Sequence, residues 1–323
     1  MQNWAESTMS TEDMLFDDGP ATQAARPKTT SVAGENQMNK HSIRPVRTLN
    51  ALTPSRSHNG YFTQFIEDVE IRRAPDDLIL DKENQSIFDG LVREVRQGDQ
   101  LRRHAITPRN KVLFCGPPGC GKTLAAEVFA IKAGLPFKAL RIDALISSFL
   151  GETASNLRKA FEEVARRPAV MFLDEFDSIA HTRRDQAEHS EMRRVVNTLL
   201  VLIENYSGTG VMIAATNLQD RIDKALWRRF DEVLFFDLPN DADIKSMLKL
   251  KTRNFPAMFD ISRKSARFKG MSFADIERVC AGAIKLSILD GERRVAEKVF
   301  DAAIQDERRR QRSRLRLERR FAK

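Results

Sequence analysis

The sequence predicts an α/β fold, in which a parallel sheet is covered by helices on both faces and is followed by a smaller helical domain. Two observations carry this prediction. Between residues 111 and 236, short apolar runs alternate with helical stretches, and this alternation is typical of parallel sheets because parallel strands need crossover connections. Beyond Pro239 the chain has no convincing strand pattern and is interpreted as three or four helices.

The composition is that of a soluble globular protein. The 323 residues, 41% hydrophobic and 30% charged, are enough for about two packed domains. No stretch approaches the roughly 18 apolar residues of a membrane span, and the N-terminus lacks the pattern of a secretion signal. The expected location is therefore the cytoplasm. In agreement, Cys115, Cys120 and Cys280 are too few and too scattered for a disulfide framework and are interpreted as small apolar residues.

The net charge of +8 belongs to the C-terminal tail. Residues 308 to 323 carry eight Arg and one Lys against one Glu, whereas the first 307 residues carry 44 basic and 44 acidic side chains. The tail can bind nucleic-acid phosphates, dock on a protein partner, or extend the last helix as a solvated surface. The sequence leaves these three interpretations open.

Residues 1 to 60 are predicted to form a disordered leader. They contain four prolines and no sustained apolar period, so they cannot bury enough surface to offset the entropy of ordering. The ordered part is expected to begin with an apolar cluster that docks on the following domain, formed by Tyr61, Phe62, Phe65 and Ile66. An amphipathic helix from Leu78 onward is then expected to pack on the sheet. Its apolar stripe contains Ile87, Leu91, Val95 and Leu101.

Five buried strands follow in the prediction, at residues 111–115, 137–142, 170–173, 211–215 and 232–236. The helices between them include residues 123–133, 154–165 and 191–203. We expect an α/β domain at 61–238, a helical lid domain at 239–307 and the basic tail at 308–323. Because ligands of open parallel sheets bind at the carboxyl ends of the strands, the residues directly after these strands are candidates for a functional site.

A glycine-rich loop follows the first of these strands. Residues 116 to 123 read GPPGCGKT, a full G-x-x-x-x-G-K-T pattern between a strand and a helix. The glycines allow the backbone to wrap phosphates, Lys122 offers a charge to the terminal phosphates, and the Thr123 hydroxyl can bind Mg²⁺. The predicted nucleotide-binding set is Gly116, Pro117, Pro118, Gly119, Cys120, Gly121, Lys122, Thr123 and Leu124.

Two acidic residues follow the strand at 170–173. Asp174 can join the metal's ligand shell with Thr123, and Glu175 can orient an attacking water. Asp177 is expected to position the next helix. The pair therefore predicts phosphate hydrolysis.

With these motifs the chain resembles the AAA ATPases over about residues 78 to 303. Besides the phosphate loop and the LDEFD segment, the resemblance is carried by residues 215–217 (ATN), 223–231 (DKALWRRFD) and 272–276 (SFADI). It implies a P-loop NTPase sheet, ATP with Mg²⁺ as the ligand, and Ala274 of the lid at the nucleotide. It also implies that Asn217 senses the γ-phosphate.

The resemblance further implies a ring, expected to be a hexamer, in which Arg228 and Arg229 project into the neighbouring subunit's nucleotide. A cation supplied in this way stabilises the charge on the transferred phosphoryl group. An isolated subunit is therefore expected to hydrolyse ATP poorly.

A substrate loop is implied at Phe149, Leu150 and Gly151. In the family this loop faces the central pore and grips a polypeptide backbone, whereas members that load DNA clamps or helicases usually lack the aromatic residue. The loop therefore favours a protein substrate. Phe149 as an ordinary core residue is the alternative.

Two positions depart from the family's pattern. Phe273 replaces the Gly of a G-A-D turn in the lid, and Lys251 stands where a His often approaches the adenine. The lid also has no obvious sensor arginine, which agrees with the AAA clade proper. The contacts to the base are consequently the part of the site that the resemblance defines least.

The chain is also similar to stand-alone bacterial AAA proteins that are paired with a subtilisin-like protease in plasmid incompatibility and antiphage defence. Residues 99–123 and 144–161 carry this similarity. The chain has no G-x-S-x-G or H-E-x-x-H motif, so proteolysis would come from a partner. Three functions stay open: an ATP-driven protein remodeller, a nucleotide-dependent switch or scaffold that activates a partner, and a DNA-linked ATPase such as a helicase loader.

Overall fold

A six-stranded sheet forms the centre of the α/β region. The computed structural model describes residues 65–141, 153–176, 190–217 and 227–321. The strands are β1 (Ile66–Asp68), β2 (Lys111–Cys115), β3 (Phe137–Leu140), β4 (Val170–Leu173), β5 (Val211–Thr216) and β6 (Glu232–Phe235). Their order across the sheet is β1-β3-β4-β5-β2-β6, and every pair is parallel except β1 with β3. The predicted parallel sheet is therefore confirmed.

The edge strand β1 is the one strand of this sheet that the sequence reasoning missed. Phe65 and Ile66 were expected to dock as a cluster, but Ile66 instead pairs with Leu140 of β3. Phe65 is 2% exposed, and its carbonyl accepts a hydrogen bond of 2.9 Å from Arg141 N. A three-residue strand is too short to show the alternation that identifies a strand in sequence. Tyr61 and Phe62 lie outside the described residues.

Helices cover both faces of the sheet. They are α1 (Lys82–Arg96), α2 (Gly98–Arg103), α3 (Lys122–Ala133), α4 (Thr153–Ala165) and α5 (Ser190–Glu204). The first helix begins at Lys82 and not near Leu78, because Pro75–Asp77 form a 3₁₀ turn and the Asp81 side chain accepts a hydrogen bond of 2.9 Å from Asn84 N. A carboxylate at this position is a preferred N-cap. Leu101 belongs to the separate helix α2.

Alternating side chains divide the core into two layers. In β2, Leu113 and Cys115 pack in the layer that contains α4 and α5, whereas Val112 and Phe114 pack in the layer of α1 and α3. This alternation follows from the two-residue period of a strand. The sheet is thereby buried on both faces, and its strand ends carry the polar residues of the site.

In the described residues after the last strand, the regular elements are helices, joined by one isolated β-bridge between Ala257 and Val295. They are α6 (Asp241–Thr252), a 3₁₀ segment (Ile261–Phe268), α7 (Phe273–Leu289) and α8 (Glu297–Phe321). Their apolar side chains form a third core cluster, to which Leu248, Phe268, Ile276 and Phe300 belong. The last helix continues through most of the basic tail. No helix within the described ranges combines the length and hydropathy that crossing a bilayer requires.

All three cysteines are buried and free. Burial raises the pKa of the Cys115 and Cys280 thiols to about 12 and that of Cys120 to about 11. The thiols therefore stay protonated near neutral pH and pack as small apolar groups, as the sequence indicated.

Candidate active site

Three adjacent strands deliver the polar residues of the site to one edge of the sheet. Strand β5 lies between β2 and β4, with Cys115 of β2 beside Thr216 and Leu173 of β4 beside Ala214. The phosphate loop, Asn217 and Asp174 are the next residues after these three strands. The parallel register therefore brings together motifs that are distant in sequence.

Three glycines of the phosphate loop have backbone conformations that favour glycine, and two of them also lack room for a side chain. Gly116, Gly119 and Gly121 have φ of 154°, 77° and 93°, a region that favours glycine. A Cβ at Gly116 would approach the Phe236 carbonyl oxygen to 2.0 Å, and one at Gly119 would approach Ser272 Oγ to 2.7 Å. The backbone at Gly116 and Gly119 is thus packed against its neighbours, and the glycines leave parts of the loop without side chains, as close phosphate binding requires.

Lys122 is held by oxygen atoms at the centre of the site. Its side chain is buried, and Nζ donates to Gly116 O at 2.7 Å, to Pro117 O at 2.9 Å and to Asn217 Oδ1 at 2.8 Å. These contacts satisfy the buried ammonium group. They also place Asn217 and Lys122 in one polar cluster, where a phosphate oxygen can replace one of the acceptors.

Thr123 and Asp174 form a pair of hard oxygen ligands. Thr123 Oγ1 donates to Asp174 Oδ2 at 3.2 Å, and both residues are exposed to the cavity's solvent side. Hydroxyl and carboxylate oxygens are the ligands that Mg²⁺ prefers. The pair therefore fits the metal that accompanies nucleotide phosphates.

Glu175 has a strained backbone. Its φ is 50°, in the left-handed region, and its N–H donates to Asp174 Oδ1 at 2.8 Å. A non-glycine residue in this region costs about 1–3 kcal/mol, and such strain concentrates at functional sites. The fold therefore holds Glu175 directly beside Asp174 at the cost of stability.

A cavity of about 350 Å³ joins the phosphate loop to the helical region. On the helical side, Ala274 N donates to Gly119 O at 3.0 Å, so the start of α7 contacts the loop. Phe273 and Lys251 also line the cavity, and Lys251 Nζ pairs with Glu277 Oε1 at 2.7 Å. Both positions that depart from the family's pattern therefore face the same cavity as the phosphate loop.

The structure places the two arginines away from this cavity. Arg228 is exposed, and Arg229 forms an ion pair of 3.3 Å with Glu204 at the end of α5. Neither residue lines the cavity. Neither arginine therefore lies at the cavity of its own chain. The substrate-loop residues Phe149, Leu150 and Gly151, and Asp177, lie outside the described residues.

Several cavity residues escaped the sequence reasoning. Arg73 and Asp77 come from the segment before α1, and Glu127 comes from α3. Of these, only Glu127 had a usable signal in the sequence, because it follows Thr123 by four residues and so shares its helical face. The segment before α1 has no motif that connects it to the phosphate loop.

Comparison with known proteins supports the interpretation of this geometry. Residues 112–238 match the family described as ATPase family associated with various cellular activities (AAA). The chain is 51% identical over 267 residues to the uncharacterized AAA family ATPase y4kL of Sinorhizobium fredii, an alignment that covers 83% of this chain and 81% of that protein.

Two further relatives are more distant. The chain is 32% identical to the ATP-dependent zinc metalloprotease FtsH 3 of Sphaerobacter thermophilus, over 66% of this chain and 45% of the relative. It is 31% identical to the 26S proteasome regulatory subunit 6A of Schizosaccharomyces pombe, over 68% of this chain and 52% of the relative. The chain thus spans about half the length of these two proteins. Taken with the phosphate loop and the strand-end carboxylates, these similarities establish that the chain belongs to the AAA family of ATPases.

Proposed function

We propose that the chain hydrolyses Mg-ATP in a ring of identical subunits and uses the energy to remodel a protein substrate. The observation that carries this proposal is the cluster at the strand ends. There the Lys122 ammonium group contacts Asn217, and the Thr123 hydroxyl contacts Asp174. Phosphoryl transfer from a nucleotide requires a cation at the phosphates and oxygen ligands for the metal, and this cluster contains both.

Each group of the cluster has a distinct role in this proposal. Lys122 and the loop N–H groups bind the β- and γ-phosphates, and Thr123 with Asp174 holds the metal. Glu175 orients the attacking water, and Asn217 reports the presence of the γ-phosphate. When bound, Mg²⁺ neutralises charge on the phosphate oxygens.

Arg228 and Arg229 are proposed to complete the site of the neighbouring subunit. Their distance from their own cavity agrees with this role, and a guanidinium group suits the charge of a transferred phosphoryl group. AAA family members typically form hexameric rings, and we propose the same assembly here.

The proposed substrate is a polypeptide, gripped at Phe149, Leu150 and Gly151. Two relatives are named as an ATP-dependent protease and as a proteasome regulatory subunit, which supports a link to protein degradation. We therefore propose a separate protease as partner. Its subtilisin-like class, and plasmid control or antiphage defence as the biological setting, are proposed from the resemblance to stand-alone bacterial AAA proteins alone.

The test of this function compares ATP binding with hydrolysis in Glu175→Gln. This variant is expected to bind ATP and to lose hydrolysis, because the neutral amide cannot act as the base that accepts a proton from the attacking water. Turnover at the wild-type rate would contradict the assignment. In a second assay, an unfolded protein should stimulate the ATPase of a remodeller, whereas stimulation by the partner alone would indicate a switch.

A DNA-linked ATPase is the second candidate, and one observation favours it. Arg308, Arg312, Arg316 and Arg320 are exposed and follow each other at intervals of four residues along α8. Like charges at this spacing repel in a free helix, and an anionic partner removes the repulsion. A salt titration of DNA binding, with and without residues 308–323, tests this candidate, because phosphate contacts weaken steeply with salt.

A further inference from the structure

The cavity contains a carboxylate that the hydrolysis proposed above does not use. Glu127 lies on α3 four residues after Thr123, so the two residues share a face of the helix and are separated by about 6 Å of helical rise. The Glu127 side chain is 16% exposed and lines the same cavity as the phosphate loop. Glu127 therefore lies in the cavity wall beyond the phosphate end.

One oxygen of this carboxylate lacks a hydrogen bond. Glu127 Oε2 is buried, and within the described part of the chain it accepts no hydrogen bond. Arg73 Nε lies 3.9 Å from it, beyond hydrogen-bonding distance, on a half-exposed side chain. Burial raises the pKa of the Glu127 carboxyl, and the attraction of Arg73 offsets this only in part. The position therefore lowers the stability of the nucleotide-free protein.

The cavity that Glu127 lines has the character of a small-molecule site. Apolar side chains form part of its wall, contributed by Leu78, Ile79, Leu124, Met247 and Phe273. Apolar walls with a few well-placed polar groups are typical of small-molecule sites. A nucleotide whose phosphates lie on the loop must extend its nucleoside away from Thr123. The nucleoside offers hydrogen-bond donors at the ribose hydroxyls and at the exocyclic amine of adenine, and an ionised carboxylate only accepts.

We propose that Glu127 accepts a hydrogen bond from a donor on the nucleoside and so contributes to nucleotide selection. This inference rests on the proposed function, since it places the phosphates on the loop. Oε2 gains on binding the partner that it lacks in the free protein. A nucleoside without that donor leaves the carboxylate buried and unpaired. This cost exceeds the net gain of the hydrogen bond, so selectivity comes mainly from weaker binding of nucleotides that lack the donor.

The experiment measures equilibrium binding to the full-length chain and to Glu127→Ala and Glu127→Gln variants. The probes are ADP, 2′-deoxy-ADP, 3′-deoxy-ADP and purine riboside 5′-diphosphate, which lacks the exocyclic amine, and each analogue removes one candidate donor. ADP affinity is expected to fall about ten- to a hundredfold in Glu127→Ala, as for a hydrogen bond to a charged group. The Glu127→Gln variant should lose less, because its amide oxygen still accepts. Glu162→Gln, an exposed position on α4, is the matched control and should bind like the wild type.

The analogues identify the donor. The analogue that lacks it should bind weakly to the wild type and should lose little further affinity in Glu127→Ala, whereas the other analogues should lose as much as ADP does. Thermal unfolding of the nucleotide-free protein gives an independent readout, in which Glu127→Gln should be at least as stable as the wild type.

Three results would overturn the inference. The first is that Glu127→Ala binds every probe with wild-type affinity. The second is that Glu127→Ala loses affinity by the same factor for all four probes. The third is a nucleotide-free Glu127→Gln that unfolds at lower temperature without any change in nucleotide preference, which would mark a structural role. In each case ADP still binds to the wild type, so the proposed function would stand. Failure of the wild type to bind ADP would refute both.

Discussion

The backbone conformation of Glu175 predicts that the glycine variant at this position is more stable than the alanine variant, which reverses their usual order of stability. At an ordinary position a glycine variant is less stable than the alanine variant by about 0.5–1 kcal/mol, because glycine loses more conformational freedom on folding. At Glu175 the φ of 50° strains any residue with a Cβ. Relief of a left-handed conformation is worth about 1–2 kcal/mol. We therefore expect Glu175→Gly to be more stable than Glu175→Ala by about 0.5–1 kcal/mol after the entropy of glycine is subtracted.

The assay is denaturant unfolding of the two variants, which both lack the carboxylate and thus differ only in the backbone effect. Ala302, exposed within α8, is the control, and Ala302→Gly should be destabilised by about 1 kcal/mol. Both Glu175 variants should be inactive in ATP hydrolysis. If Glu175→Gly is instead less stable than Glu175→Ala by about 0.5–1 kcal/mol, as at an ordinary position, the backbone at this residue is not strained and the reasoning is wrong.

Two further predictions concern the contact between the phosphate loop and the lid. Gly119→Ala puts a Cβ 2.7 Å from Ser272 Oγ at a φ of 77°, so it should lower stability by about 1–3 kcal/mol and weaken ADP binding, measured by unfolding and by titration. Asp275→Asn should destabilise the protein by about 1–3 kcal/mol, because the Asp275 carboxylate accepts from Ser272 N and from Gln311 Nε2, both at 2.9 Å. Burial raises the pKa of Asp275, but these hydrogen bonds outweigh it and hold the pKa below its ordinary value of 3.8. The stability difference should therefore be present above pH 3.8 and disappear as the pH falls through the lower folded-state pKa, and a difference that persists in acid would contradict this.

The sheet and the position of the polar residues at its edge could be predicted because their signals are local and strong. Val170–Leu173 is a continuous apolar run that ends in two acids, and GPPGCGKT lies between a strand and a helix. Parallel pairing then brings these strand ends together without further information. Long apolar runs and motifs at strand ends thus determine most of the fold and the phosphate half of the site.

The helical side of the cavity could not be predicted in the same way. Glu127 is a single carboxylate inside a helix, and only the fold shows that it lines one cavity with residues from the segment before α1 and from α7. The strand Ile66–Asp68 has only three residues, and its pairing with β3 leaves no periodic signal. Phe273 and Lys251 could be identified as departures from a pattern, but only the fold shows that both line the cavity.

The central claim is that one active centre is shared between two subunits. Its most direct test mixes two variants that should each be inactive, Lys122→Ala and the double variant Arg228→Ala/Arg229→Ala, after confirming that both assemble. In an equal mixture, about one interface in four should combine an intact phosphate loop with intact arginines, since each contact in a ring joins two different surfaces. We predict that the mixture regains about a quarter of the wild-type ATPase rate, by the same statistics. A mixture that stays inactive, or a double arginine variant that turns over ATP at the wild-type rate, would contradict the account.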